Sequence, residues 1–304
     1  MMEKAYIILA HKNPSQLYRL LSRLDDNAST FFVHIDKQVS LHDFSSLSDF
    51  GNKINYVKRV KSSWASFELV EATLNALNAI KASKQQFDTI VLLSGQDYPI
   101  KSNEIINDYF HTSKYSVFIE YFPIPNYKRW QNRGGAFRLD KYFFGFKFHQ
   151  RFTAKALNFL ANFFPFLTRR LPNNLVPYGG SQWWTIDIYA LEYILDYVEK
   201  NPAYVSFHKA TFAPDEIFFQ TILLNTKDEK LLRSIINNNK RYMIFKDRTQ
   251  HPEILTNENY KDLVISNALY ARKFDYSIDT EILDLIDNAC LSKVNEQGKL
   301  ERNY

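Results

Sequence analysis

Residues 5–36 read AYIILAHKNPSQLYRLLSRLDDNASTFFVHID, and this stretch decides the fold. AYIILA (5–10) is apolar without alternation, which predicts a strand buried on both faces. PSQLYRLLSRL (14–24) spaces Leu17, Leu20, Leu21 and Leu24 along one face of a helix. TFFVHID (30–36) is a second apolar strand. The pattern continues with NYVK (55–58) as a third strand, a helix from Phe67 to Ala82, and TIVLLSG (89–95) as a fourth strand. Strands without a polar face, alternating with helices, predict an α/β fold: a Rossmann-type, mostly parallel sheet flanked by helices.

Open sheets of this kind bind ligands beyond the carboxyl ends of their strands. The first strand ends in His11-Lys12-Asn13, the second in Asp36-Lys37, and the fourth in Gln96-Asp97. A carboxylate at a strand end can accept from a ribose diol or a uracil N–H, so this rim suits a nucleoside. Asp36 and Asp97 equally read as caps of the following turn. Neither GxGxxG nor GxxxxGK[ST] occurs, which counts against a dinucleotide or P-loop enzyme. No two aspartates stand two positions apart, so the local carboxylate pair that commonly holds a divalent ion on a nucleotide diphosphate is missing. A diphosphate would then need Arg and Lys. Lys240, Arg241, Lys246, Arg248, Arg272 and Lys273 supply candidates; the competing reading is a solvated basic surface. Arg272-Lys273 lies between Tyr270 and Phe274, and this apolar context predicts that Lys273 faces a site. In TFAPDEIFFQTIL (211–223), Pro214 opens a helix expected over 214–225, with Asp215 and Glu216 in its first turn. Phe212, Ile217, Phe218 and Phe219 surround them, a setting that suits a general base as well as helix-end charge complementation.

The chain has 304 residues, 45% of them hydrophobic and 16% aromatic. It can bury a large core, and we read it as one domain over 1–304: a nucleotide-binding half (1–115), an acceptor and catalytic half (116–291) and a polar tail (292–304). The 25 Phe and 19 Tyr either fill the core or provide stacking platforms for pyranose rings. A net charge of +5, scattered among 33 acids, argues against nucleic acid and suits anionic small molecules or an anionic membrane surface. Cys290 stands alone, which excludes an internal disulfide or a cysteine zinc site and fits a reducing compartment. No run of about 18 apolar residues occurs, so no transmembrane helix is expected.

After residue 115 the texture mixes aromatics, Arg and Lys with Pro and Gly. A substrate-facing region with a helix near 153–164 is expected there. A strand over 183–188, a helix over 189–199, a strand over 241–245, and helices over 259–266 and 278–291 follow. The basic-aromatic stretch 141–170, with KYFFGFKFHQRF and FFPFLTRR, fits peripheral contact with an anionic membrane holding lipid-linked saccharides. The alternative is a packed acceptor-side subdomain with basic edges.

The runs AYIILAHKNPSQLYRLLSRL, VHIDK, SWASFELVEATLNAL, LLSGQDYPIKS, GGSQWWTI, APDEIFFQTIL, HPEIL and ALYARKFD together resemble the core-2/I-branching β-1,6-N-acetylglucosaminyltransferase and peptide O-xylosyltransferase family. The matches run in order from about residue 5 to 276. The resemblance implies a GT-A-like fold with a mixed acceptor-side region. It implies an inverting, metal-independent transfer from a UDP-sugar (GlcNAc or xylose) to a carbohydrate hydroxyl, with no cofactor; the basic-aromatic stretch above adds a lipid-linked saccharide as an acceptor. It implies Glu216 as general base and Lys273 as a diphosphate ligand. Arg248 is its chosen partner, with Arg241 and His251 as rivals. His11, Asp36, Arg59, Trp64 and Asp97 fall on the nucleotide side. Glu120, Lys128, Arg129, Trp183 and Trp184 fall on the acceptor side. Animal members carry membrane anchors and many disulfides. This chain has neither in its sequence, so a bacterial, cytoplasmic relative at the inner face of a membrane, serving surface polysaccharide assembly, is expected. Two other classes stay open: a glycoside hydrolase pairing Asp97, Glu120 or Glu216, and a non-catalytic carbohydrate- or nucleotide-binding protein on the same fold.

Overall fold

The computed structural model describes residues 2–246 and 251–290. Strands β1 (Lys4–Ala10), β2 (Ser29–Ile35), β3 (Ile54–Tyr56), β4 (Thr89–Ser94), β5 (Asp97–Pro99), β6 (Val117–Ile119), β7 (Phe122–Pro123), β8 (Tyr178–Gly179), β9 (Trp184–Ile186), β10 (Ile235–Asn237), β11 (Arg241–Tyr242) and β12 (Tyr270–Arg272) build three sheets. The main sheet has the order β10-β6-β9-β4-β1-β2-β3. Only β9 runs against its neighbours, between β4 and β6. This is the expected Rossmann-type, mostly parallel sheet.

Its two faces explain the absence of alternation in AYIILA. Ala5, Ile7 and Leu9 enter one core with Phe32, Ile90 and Leu92. Tyr6, Ile8 and Ala10 enter the other with Phe31, Val33 and Leu93. Helix α1 (Pro14–Leu24) buries Leu17, Leu20, Leu21 and Leu24 on the second face. Helices α2 (Glu68–Ser83) and, further on, Ile188–Lys200 cover the first. Even Lys4, fully buried at the start of β1, is satisfied: its ammonium donates to Asp26 and Asn107, each at 2.6 Å.

Several elements depart from expectation. Residues His42–Lys53 form 3₁₀ turns, and Asn103–Thr112 forms a helix, α3, whose N-cap Ser102 accepts from the Ile105 N–H. The expected helix over 214–225 is broken: Pro214–Glu216 is a 3₁₀ turn, Ile217 is non-helical, and the α-helix spans Phe218–Leu224. The reason lies in tertiary pairing, because the Glu216 carbonyl accepts from the Gly180 N–H at 2.9 Å. The basic-aromatic helix, α4, spans Phe148–Leu160 rather than 153–164. A small sheet of order β11-β12-β5 packs beside the main one and carries Arg272 beside Asp97. The polar tail lies outside the described residues.

Candidate active site

The carboxyl ends of β1, β2 and β4 open on a cavity of about 130 Å³, lined by His11, His34, Ser62, Gln96, Trp183 and Arg272 among others. Its floor is the strand-end rim anticipated from sequence, but the carboxylates there are committed internally. The Asp36 carboxylate accepts from the N–H of Gln38 at 2.7 Å, from the N–H of Ser62 at 2.9 Å, and from the Ser62 hydroxyl. Burial alone would raise this carboxyl, yet the Ser62 and Gln38 hydrogen bonds bring it below its ordinary value. Arg59 donates to the carbonyls of Ile35, Asp36 and Val39. His34 Nε2 accepts from the Val60 N–H at 3.0 Å. Asp36, His34 and Arg59 therefore clamp the 57–62 segment against β2, which leaves its backbone and Ser62 to shape the cavity.

Asp97, expected on the rim, is fully buried instead. Its carboxylate accepts from Arg272 Nη1 at 2.8 Å and from the Ser94 N–H at 2.9 Å. Burial raises the Asp97 carboxyl and lowers the Arg272 guanidinium, so each depends on the other. The pair holds the last residue of β12, and with it the neighbouring Lys273. The two adjacent tryptophans take different environments. Trp184 has no exposed surface and packs against Phe219, because β9 is an interior strand. Trp183 lies on the cavity wall with the Arg272 guanidinium 4.1 Å from its ring centroid.

Cations gather around His11, which lines the cavity. Desolvation lowers the Lys273 ammonium, and Lys12 and Arg272 lower it further. His11 is lowered by desolvation, then by Lys12 and Lys273. His251 is lowered by desolvation, then by Lys273 and Arg272. Asp275 partly offsets this charge, accepting from Lys12 at 2.5 Å and from Asn13 at 2.9 Å. Arg241, one rival for the diphosphate, is buried and donates to the carbonyls of Asn239, Leu92 and Trp184, so it faces the interior. Arg248 lies outside the described residues. Trp64 is 41% exposed, with ring centroids 5.5 Å from Phe146 and 4.8 Å from His251. It forms an aromatic edge between the cation cluster and the following region.

Across that edge stands Glu216, a third exposed, with its Oε2 2.5 Å from Arg138 Nη1. Arg138 was not anticipated, and its placement is traceable. Gly135 adopts φ +86°, and a Cβ there would come within 2.2 Å of the Trp130 ring. Only glycine lets Trp130 lie this close. The Trp130 ring in turn carries the Arg138 guanidinium 3.7 Å from its centroid. Gly180 is equally constrained, since a Cβ would sit 1.8 Å from the Glu120 carbonyl oxygen. That contact draws Glu120 towards the site: its carboxyl is raised by burial, lowered by Arg129, and raised again by the Glu216 charge. Arg129 pairs with Glu120 at 3.2 Å. Lys128 stays exposed on the turn after Asn126. Asp215 is buried beside Glu216 and is held well above the carboxylate range by burial and by that neighbour. The pair thus differentiates into a solvent-reachable carboxyl held by Arg138 and a buried acid. The sequence signals for Arg138 were Gly135 and Gly179, which both approach the Trp130 ring in the fold and are legible only once that backbone approach is known.

Among the described residues, no group of three or more His, Cys, Asp or Glu side chains converges as a metal-ligand set. No helix among them is long and apolar enough to cross a membrane.

The fold and site define an α/β protein with a cationic strand-end cavity next to an arginine-held carboxylate. The chain belongs to the Core-2/I-branching enzyme family, whose model matches residues 4–267. Rat xylosyltransferase 2 is 22% identical over 93% of this chain and 33% of its own length. The β-glucuronosyltransferase GlcAT14B of Arabidopsis thaliana is 24% identical over 94% of this chain and 66% of its own. The chain thus spans a third of one relative and under two thirds of the other. Among solved structures, apo mouse xyloside xylosyltransferase 1 superposes with a TM-score of 0.37 at 11% identity, covering 89% of this chain and 97% of that one.

Proposed function

We propose that this protein is an inverting glycosyltransferase that moves a sugar from a UDP-sugar to a carbohydrate hydroxyl, with fixed cations in place of a divalent ion. The observation that carries the reading is the gathering of the cations Lys12, Lys273 and Arg272 around His11 on the wall of the strand-end cavity. Crowded cations lower one another's affinity for protons, and a dianionic diphosphate relieves that repulsion. The cavity beneath them, with Ser62 and Gln96 polar groups and the Trp183 ring, is the nucleoside end.

In the step we envisage, the acceptor oxygen forms a bond to the anomeric carbon as the bond to the diphosphate oxygen breaks. The acceptor proton passes to the Glu216 carboxylate, and UDP leaves with the electron pair, held by Lys273 and its neighbours. Attack opposite the leaving group inverts the anomeric centre. Arg138 orients Glu216 in this scheme, and Glu120 with Arg129 borders the acceptor. The names of the relatives favour xylose and glucuronic acid over GlcNAc alone as donors to test. A UDP-release assay in EDTA, with UDP-xylose, UDP-GlcNAc and UDP-glucuronic acid against an array of saccharide acceptors, tests the proposal. Acceptor-dependent UDP release supports it. UDP release only after Mn²⁺ is added, or hydrolysis of a glycoside without nucleotide, overturns it.

A further inference from the structure

Helix α4 presents the wrong face to solvent. Its buried side is a single alanine, Ala154. Its outward stripe, at helical spacing, is Phe148, Phe152, Lys155 and Phe159, with the three phenylalanines 87%, 66% and 62% exposed. Phe163 and Phe166 in the next turn extend the stripe at 64% and 83% exposure. A contiguous exposed aromatic surface of this kind marks an interaction face.

Charge identifies the partner. From residue 141 to 186 the chain contains no Asp or Glu, yet it carries Lys141, Lys147, Arg151, Lys155 and Arg170 at the surface, with Arg169 turned inward onto backbone carbonyls. An acid-free basic segment around exposed aromatics complements an anionic bilayer, where rings lie at the acyl boundary and cations meet headgroups. We infer that α4 and the turn after it rest in the interface of a membrane containing anionic lipid.

The same segment reaches the site. Phe146 stacks on Trp64, Phe143 packs on Phe212 with centroids 5.0 Å apart, and just before the segment Arg138 holds Glu216. A docked α4 therefore presents the mouth of the site to saccharides held at the bilayer surface. This last placement rests on the transferase reading; the docking itself does not.

Vesicle sedimentation tests it, using the full chain without donor or acceptor. Phosphatidylcholine vesicles with phosphatidylglycerol are expected to bind the protein in a salt-sensitive manner, and phosphatidylcholine alone to leave it in solution. The variant R151E/K155E/R170E should lose roughly 100-fold or more in partitioning. The variant F148S/F152S/F159S should lose at least about tenfold. All substituted side chains are exposed, and an unchanged circular dichroism spectrum and Tm in both variants would show an intact fold independently of any donor binding. Wild-type protein that stays in solution with anionic vesicles, or variants that bind as well as wild type, overturns the inference. So does a dimer in sedimentation velocity that F148S/F152S/F159S dissolves without any vesicle binding, since the face would then belong to a second copy.

Discussion

Replacing Glu216 with glutamine separates chemistry from structure, because the two costs differ widely. The carboxylate oxygen lies 2.5 Å from Arg138 Nη1, and the side chains are 33% and 11% exposed. Glutamine keeps a carbonyl that can accept from the same guanidinium, so only the charge–charge part is lost. At a third exposure that part is screened to about 1 kcal/mol, a shift in Tm of a few degrees at most. The proton, by contrast, loses its acceptor. A positioned base is worth about 10²–10⁴ in rate, or roughly 3–5 kcal/mol of transition-state stabilisation. The assay is kcat for UDP release at saturating donor and acceptor, with UDP affinity and Tm measured on the same preparation. We expect kcat to fall by about a hundredfold or more while UDP affinity holds. Asp215→Asn is the matched control. Asp215 is buried, and burial and the Glu216 charge already favour its neutral form, which asparagine imitates. It should retain kcat within about threefold. Glu216→Gln with near wild-type kcat, or Asp215→Asn with an equal loss, would refute the assignment of the base.

Other consequences follow from individual contacts. Gly180→Ala places a Cβ 1.8 Å from the Glu120 backbone oxygen, and we expect a loss of about 3 kcal/mol or more in urea unfolding together with lost transfer. His208 is fully buried; burial, and then Arg169, lowers its imidazole to about 3 from 6.5. The unfolded chain binds this proton below pH 6.5 while the folded chain resists it, so the stability is complete above that pH and is lost as pH falls. The loss is about 3 kcal/mol by pH 4.5, and His208→Phe should flatten that part of the urea-midpoint profile. Asp97→Asn strands the buried Arg272, which should cost about 3–5 kcal/mol and weaken UDP binding by displacing Lys273; a thermal melt and calorimetry read the two effects.

The main sheet was legible in the sequence because local signals sufficed. AYIILA, TFFVHI and TIVLLS are buried on both faces, and the leucine spacing of 14–24 falls on one helix face. The strand-end rim was likewise placed correctly by topology. What the rim does was less legible, because Asp36 and Asp97 point into internal hydrogen bonds set by residues far along the chain, Ser62 and Arg272. Trp183 and Trp184 read alike in sequence, yet their alternation in β9 sends one to the cavity and the other to the core. Of the small sheet only a strand at 241 was legible, because its strands have two or three residues and β12 pairs with β5 across more than a hundred positions. Arg138 was hidden for the same reason: its partner Glu216 lies 78 positions away.

The central claim is that side-chain cations do the work of a metal ion on the diphosphate. Isothermal titration of UDP in the presence of EDTA, with wild-type protein and with Lys273→Met, tests it most directly. The account predicts metal-free binding that weakens by roughly 10–100-fold in the variant. Binding that requires Mn²⁺, or that Lys273→Met leaves unchanged, would contradict it.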